Sequence, residues 1–470
     1  MQRTAVINVV GLTRNLIGEH TPRLAAFGRA AGHTTGHTIA TIDAVMPALT
    51  CSAQTTYLTG KLPDAHGIVG NGWYFRELDQ VLLWRQSNRL VQAPRIWHLA
   101  RERDPNFTCA NTFWWYAMAT DADITLTPRP LYCADGRKLP DFYAQPASLR
   151  DSLRERLGQF PLFDFWGPRT SIRSSQWIAD AALALEEAFQ PTLNLIYLPH
   201  LDYCLQRVGP HGDIAADLRE IDTVFGNLSD ALQSRGVSVV VLSEYGIMPV
   251  QRPVHINRAL RDAGLVEIKR DLGRDYLDTG ASRAFAVADH QIAHVYVRDR
   301  RDIASVQRLC EALPGVAEVL GESGKRHHGL AHRRAGELVL LAEPDSWFTY
   351  YFWRDDAAAP DYARTVDIHS KPGYDPAELF VNPALRFPAL KVASVLAKKA
   401  LGMRYVMDVI PLDASLVRGS HGIRTAHDGD APILMSSEHG RIRSSNGNVA
   451  ATDICSILLE HIFDHEHSHV

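Results

Sequence analysis

Cysteine is scarce in this chain: six in 470 residues, at positions 51, 109, 133, 204, 310 and 455. No two form a CxxC pair, which excludes a zinc ribbon and a thioredoxin-like motif. Scattered singly, they read as small buried hydrophobes. Long apolar runs are missing as well. No window approaches the ~18 consecutive apolar residues of a membrane span. Met1-Gln2-Arg3-Thr4 leads straight into a strand-like run at 5–10. No signal peptide is therefore expected, and the expected location is cytoplasmic. A basic excess is also absent: 49 Lys and Arg stand against 53 Asp and Glu, a formal net charge of -4. That argues against nucleic acid as a partner.

Several catalytic motifs are missing too. Gly60-Lys61 is followed by Leu62 and lacks the upstream glycine of a P-loop. Neither GxGxxG nor GxSxG occurs. The tail His465-Glu466-His467-Ser468-His469 spells HExxH. A zinc protease needs that motif on a rigid helix with a third ligand, which a chain end does not provide. Adventitious metal binding by the tail is the reading that remains.

What is present is ordinary globular composition, 46% hydrophobic and 22% charged, in a chain long enough to bury a large core. Residues 5–10 form a β-like run ending in Gly11, and residues 21–31 and 174–189 have helical periodicity. The apolar runs at 193–198 and 237–242 flank a long helical stretch at 213–235. Strand, helix, strand at this spacing is a βαβ unit and implies a parallel sheet. Between 255 and 330 the pattern changes. Helical pieces at 257–264 and 302–312 flank a strand-like stretch at 293–297. A small α+β insertion over 255–335 is expected, set into a core made of 1–254 and 336–470. The aromatic run at 347–353 reads as a strand buried on both faces, and about 450–463 as a helix.

Polar residues gather at the C-terminal ends of the expected parallel strands, where ligand sites of open α/β sheets form. Thr50 precedes a helix, where a hydroxyl serves as a cap or as a nucleophile favoured by the helix dipole. Asp202 follows the 193–198 run, Glu244 and Tyr245 follow 237–242, and His421 lies in Ser420-His421-Gly422. Each alone is equally compatible with a structural role; their clustering at strand ends is the signal.

Five segments, in order, carry a resemblance: Met46-Pro47-Ala48-Leu49-Thr50 through Gly60, His66-Gly67-Ile68-Val69-Gly70-Asn71, Leu198-Pro199-His200-Leu201-Asp202 through Pro210, Leu242-Ser243-Glu244-Tyr245-Gly246-Ile247-Met248, and Ser420-His421-Gly422. The chain resembles the alkaline phosphatase superfamily on its nucleotide pyrophosphatase/phosphodiesterase and phosphonoacetate hydrolase branch. The resemblance implies an αβα sandwich with a mostly parallel central sheet and a small α+β cap. It also implies in-line attack on phosphorus by a Thr or Ser, with two zinc ions ligated by Asp and His. By position Thr50 is then the nucleophile and Asn71 the donor to a phosphoryl oxygen.

The sequence departs from that pattern at the metal ligands. The first metal-binding Asp falls at Val10, a His at Gln206, and the paired Asp-His at Glu244-Tyr245. Asp202 and His421 survive, with Gln206 and Glu244 as further oxygen donors. The usual two-zinc site is not expected. One Zn, Mn or Mg ion on these residues is compatible with the set, and so is a metal-free state. Asp289, His290, His294 and His369 are candidates for compensation, and Lys371, Arg169 and Arg173 for phosphate binding. Trp73, Tyr74 and the aromatics at 113–116 are candidates for an apolar wall, with core packing the simpler reading. The expectation is a phosphoric-ester hydrolase acting on a small molecule, with an atypical, partly lost metal site. Two alternatives stay open: a metal-free enzyme of another reaction class using Glu244 and Tyr245, and a non-catalytic binding protein. A homodimer is compatible with the sequence.

Overall fold

The strands Thr4–Val9, Leu193–Leu198 and Ser238–Leu242 are buried at every residue. Strands read as continuous apolar runs when helices cover both faces of a sheet, and such sheets are parallel. The structure, a computed structural model, describes residues 1–30, 39–134, 137–403, 405–438, 441–442 and 447–463. The HExxH tail lies outside the described residues. Nine strands form the central sheet, in the order 448–450, 40–43, 433–436, 238–242, 4–9, 193–198, 109–112, 124–128, 142–145. Thr4–Val9 pairs in parallel with both Leu193–Leu198 and Ser238–Leu242. Ile433–Ser436 runs antiparallel between Ser238–Leu242 and Ala40–Asp43, and Phe142–Gln145 is an antiparallel edge. The helices Ile172–Phe189 and Ala215–Gln233 supply the crossovers.

A second, antiparallel sheet contains Ala284–Asp289, Ile292–Val297, Val316–Leu320 and Leu338–Ala342. It has its own apolar core, built on Val287, Val295, Leu338 and Leu340 with Tyr74 and Phe285. Its strand at 338–342 lies past residue 335, within the stretch that the sequence reading gave to the main domain. The hairpin turn at His290-Gln291 carries this sheet toward the central one: the Gln291 N–H donates to the His421 carbonyl, 2.8 Å. The aromatic run is strand only at Ser346–Phe348. Beyond it Tyr350, Tyr351 and Trp353 pack on one another with Leu412 and Val417, so ring packing takes the place of a ladder.

Candidate active site

Four chain segments converge at the C-terminal edge of the central sheet, and each places its side chain for a local reason. Thr50 is the first residue of the helix Thr50–Thr59, so its hydroxyl sits among the unsatisfied N–H groups of the first turn. The helix ends at Gly60 in the left-handed conformation, φ 64°, where the helix backbone N–H bonds close. Asp202 lies in the first turn of His200–Val208, directly after a buried strand. Glu244 and Tyr245 leave the strand Ser238–Leu242. Gly246 follows because a Cβ there would collide with the Asp430 carbonyl. His421 sits just after the two-residue strand Gly419–Ser420.

Tyr245 is the centre of the arrangement. Its hydroxyl lies 3.0 Å from Thr50 Oγ1 and donates to Asp202 Oδ1 at 3.3 Å. Asp202 Oδ2 accepts from Gln206 Nε2 at 2.8 Å, and Gln206 Oε1 accepts from the Tyr374 hydroxyl at 2.8 Å. Glu244 Oε1 accepts from Asn8 Nδ2 and Gln54 Nε2, each at 2.6 Å. Asn71 Oδ1 accepts from the Cys51 N–H at 3.0 Å, and Asn71 Nδ2 donates to Asp289 Oδ1 at 3.2 Å. A column of rings closes the site: Tyr245 on His421 at 3.5 Å, His421 on His290 at 3.8 Å, His290 on Tyr374 at 3.7 Å. Thr50, Asn71, Asp202, Gln206, Glu244, Tyr245 and His421 are all buried.

Burial sets the electrostatics. No cationic side chain bonds Asp202, Glu244 or Asp289 among the described residues, so desolvation dominates. It pushes Asp202 up to about 7, Glu244 to about 8 and Asp289 to about 6. Burial likewise drives His290 and His421 well below the usual histidine value, so both rings are neutral. His421 donates from Nδ1 to the Ala48 carbonyl at 2.8 Å, which leaves its Nε2 as a buried lone pair without a partner.

These residues do not fit two metal ions. Val10 offers no ligand atom, and the Tyr245 hydroxyl already links the two positions, Thr50 and Asp202, that separate ions would hold. One ion does fit. Asp202 Oδ1 and His421 Nε2 are 3.8 Å apart, close to the spacing of two ligands each about 2.1 Å from a shared ion. The His421 Nδ1 bond to a carbonyl is the usual support of a ligating imidazole. Gln206 has its oxygen turned to Tyr374 and reaches such an ion only after an amide flip. Among the described residues three ligand side chains come within 4.8 Å of one another at His200, Asp217 and Glu220, away from this site. His200 Nε2 lies 3.1 Å from Asp217 Oδ1 and 3.4 Å from Glu220 Oε2.

The remaining sequence candidates divide. Asp289 and His290 belong to the site. His294 does not: its Nε2 is 2.9 Å from the Val69 carbonyl and its Nδ1 accepts from the Gly336 N–H. His369 lies against Tyr132, ring centroids 6.2 Å apart. Lys371 is buried and neutralised by Asp375 and Glu378, each at 2.7 Å, while Arg169 and Arg173 are exposed. Trp73 stacks on Phe75 below Arg334, Tyr74 belongs to the second core, and Phe113 packs with Phe160 and Trp177. Trp115 meets the site through its backbone, whose N–H donates to Gln54 Oε1 at 2.7 Å. Sequence reasoning overlooked Asn8, Gln54 and Tyr374. Asn8 had a signal, an amide inside an otherwise apolar strand run; Tyr374 had none.

The family pattern of type I phosphodiesterase / nucleotide pyrophosphatase matches residues 4–375. The chain belongs to that family. Its fold is also that of the murine ectonucleotide pyrophosphatase/phosphodiesterase 5, at 16% identity, with 98% of this chain and 95% of that one covered and a TM-score of 0.57. An inactive variant of the murine protein in complex with AMP matches at 16% identity over 99% and 95%, TM-score 0.58. Phosphonoacetate hydrolase from Sinorhizobium meliloti 1021, in complex with phosphonoacetate, matches at 14% identity over 98% and 96%, TM-score 0.62. No curated protein matches the chain. Membership confirms the α/β architecture that the five segments implied. No helix among the described residues is long and apolar enough to cross a membrane.

Proposed function

We propose that this family member hydrolyses small phosphoric or phosphonic esters, with Thr50 attacking phosphorus and Asn71 donating to a phosphoryl oxygen. The observation that carries the reading is the hydrogen-bonded chain from Thr50 through Tyr245 to Asp202 at the sheet's C-terminal edge. As Thr50 Oγ1 forms its bond to phosphorus, the ester P–O bond breaks, the leaving oxygen takes a proton from solvent, and the Thr50 proton passes to the Tyr245 oxygen. The Tyr245 proton passes in turn to Asp202 Oδ1. An acceptor held near 7 suits that transfer at neutral pH. The first-turn N–H groups of Thr50–Thr59 favour the charge developing on Thr50. Glu244, held near 8, carries its proton at neutral pH and adds no charge beside an anionic substrate. Attack of water then breaks the bond between phosphorus and Thr50 Oγ1, and the proton on Asp202 returns to Thr50 through Tyr245, which completes the cycle.

A second reading is favoured by the unpartnered Nε2 of His421. Asp202 and His421 would hold one Zn, Mn or Mg ion, which would neutralise charge on a phosphoryl oxygen. The ion and the relay use the same Asp202 oxygen, so they are alternatives. A screen of phosphomonoesters, phosphodiesters and phosphonates, with and without chelator, tests both. Thr50→Ala is expected to abolish turnover. Activity that survives chelation supports the relay, and activity restored by one equivalent of metal supports the ion. Turnover unchanged in Thr50→Ala would sink the nucleophile assignment. A folded protein that binds these compounds without turning any over would identify a binding protein.

A further inference from the structure

The helix Pro388–Ala400 stands off the cores described above. Val395 is buried and Val392 packs toward Ala377, Val409 and Ile410. The Asn382 N–H donates to the Val409 carbonyl at 2.7 Å, and Lys391 Nζ lies 2.9 Å from Asp408. These contacts fasten one face. On the rest of the segment Phe387, Leu390, Leu396, Leu401, Met403 and Val406 are 67, 66, 49, 75, 54 and 58% exposed. Single exposed apolar residues are normal on a protein surface; several on one side of a helix mark an interaction surface. Helical spacing places Phe387, Leu390 and Leu401 on one side, with Ser394 and Ala397 between them.

The charge of the segment is one-sided as well. Arg386, Lys391, Lys398, Lys399 and Arg404 fall between residues 379 and 407, and no Asp or Glu does. The whole chain is acidic by four charges, so this stretch opposes the balance of the molecule. We propose that the helix docks on the surface of an anionic lipid bilayer. Its apolar side enters the headgroup–acyl boundary and the exposed Lys398 beside that side lies at the level of the lipid phosphates. The helix is too short to cross a bilayer, so it lies in the interface. A second copy of this chain is a poorer occupant. Two-fold pairing of the same patch would oppose Arg386 and Lys398 to their own copies, with the neighbouring Asp408 already paired to Lys391. This inference is independent of the chemistry at Thr50.

Co-flotation of the full chain with vesicles tests it, comparing pure phosphatidylcholine with a mixture containing phosphatidylglycerol, at low and high salt. Binding is expected on the anionic vesicles and its loss at high salt, because screening removes the lysine term. Lys398→Glu should weaken binding by about fivefold or more. Leu390→Ser with Leu401→Ser should weaken it by about tenfold or more. Both sets of side chains are exposed, so melting temperatures should equal the wild type, and that comparison excludes misfolding. Three outcomes would overturn the proposal. These are a chain that stays in the aqueous fraction, one that binds neutral and anionic vesicles equally, and one that runs as a dimer that Leu390→Ser with Leu401→Ser converts to monomer.

Discussion

Asp202, Glu244 and Asp289 are buried together without a cation, and their folded values lie at about 7, 8 and 6. In the unfolded chain such groups titrate near 4. Between those limits the folded state holds more protons than the unfolded one. Their contribution to stability is therefore full below about pH 4 and is lost as pH rises through about 8. Thermal melts in chelator from pH 5 to pH 9 should show this decline. Glu244→Gln keeps both amide contacts of Oε1 and removes the titration. It should melt a few degrees above wild type at pH 9 and match it at pH 5; equal melting at pH 9 would refute the assignment. Tyr245→Phe removes one buried hydroxyl and costs about 1 kcal/mol of stability. It breaks the path from Thr50 to Asp202 and should lower turnover by roughly 10²–10⁴-fold. A loss no larger than the stability change would mean that Tyr245 only packs against His421.

At the level of elements, the hairpin turn at His290 and the strand exit at Gly246 do most to shape the site. His290 has φ 60°, the left-handed region, in a side chain that is not glycine. Such a conformation costs about 1–3 kcal/mol and persists where its surroundings require it. Here the ring is clasped between His421 and Tyr374. His290→Gly relieves the backbone and removes the ring. It should leave the hairpin intact while loosening Tyr374 and His421, read as faster hydrogen exchange after Leu412 with unchanged exchange in Thr4–Val9. Gly246→Ala meets the Asp430 carbonyl. It should destabilise by about 1–3 kcal/mol in denaturant titrations and displace Tyr245. The strand runs, the two crossover helices and the terminal helix were legible in the sequence, because apolar run length and helical period are local properties. The dissolution of 349–353 into packed rings was not, because it depends on Leu412 and Val417 from a distant segment.

For the molecule as a whole, the second sheet meets the site at its His290 hairpin. Asp289 binds Asn71 and His290 covers His421, so this hairpin supplies two residues to a site whose nucleophile candidate opens the helix Thr50–Thr59. Beside this junction Lys371 is buried with Asp375 and Glu378. Lys371→Met leaves two carboxylates without their cation and should cost about 3–5 kcal/mol, measured by chemical denaturation. A smaller loss would show that the carboxylates take up protons or water instead.

The sequence by itself determined the parallel α/β core, the family's five segments and the positions of Thr50, Asn71, Asp202, Glu244, Tyr245 and His421. These follow from local runs and from short motifs kept in order. It also set Val10, Gln206 and Tyr245 at positions where the family resemblance implies metal ligands. Tertiary structure alone decided what surrounds them. Asn8 and Gln54 meet at Glu244 from chain positions 46 residues apart, and Tyr374 reaches Gln206 across 168. Which side chains share a buried volume depends on how sheets and loops pack, and no local pattern along the chain records it.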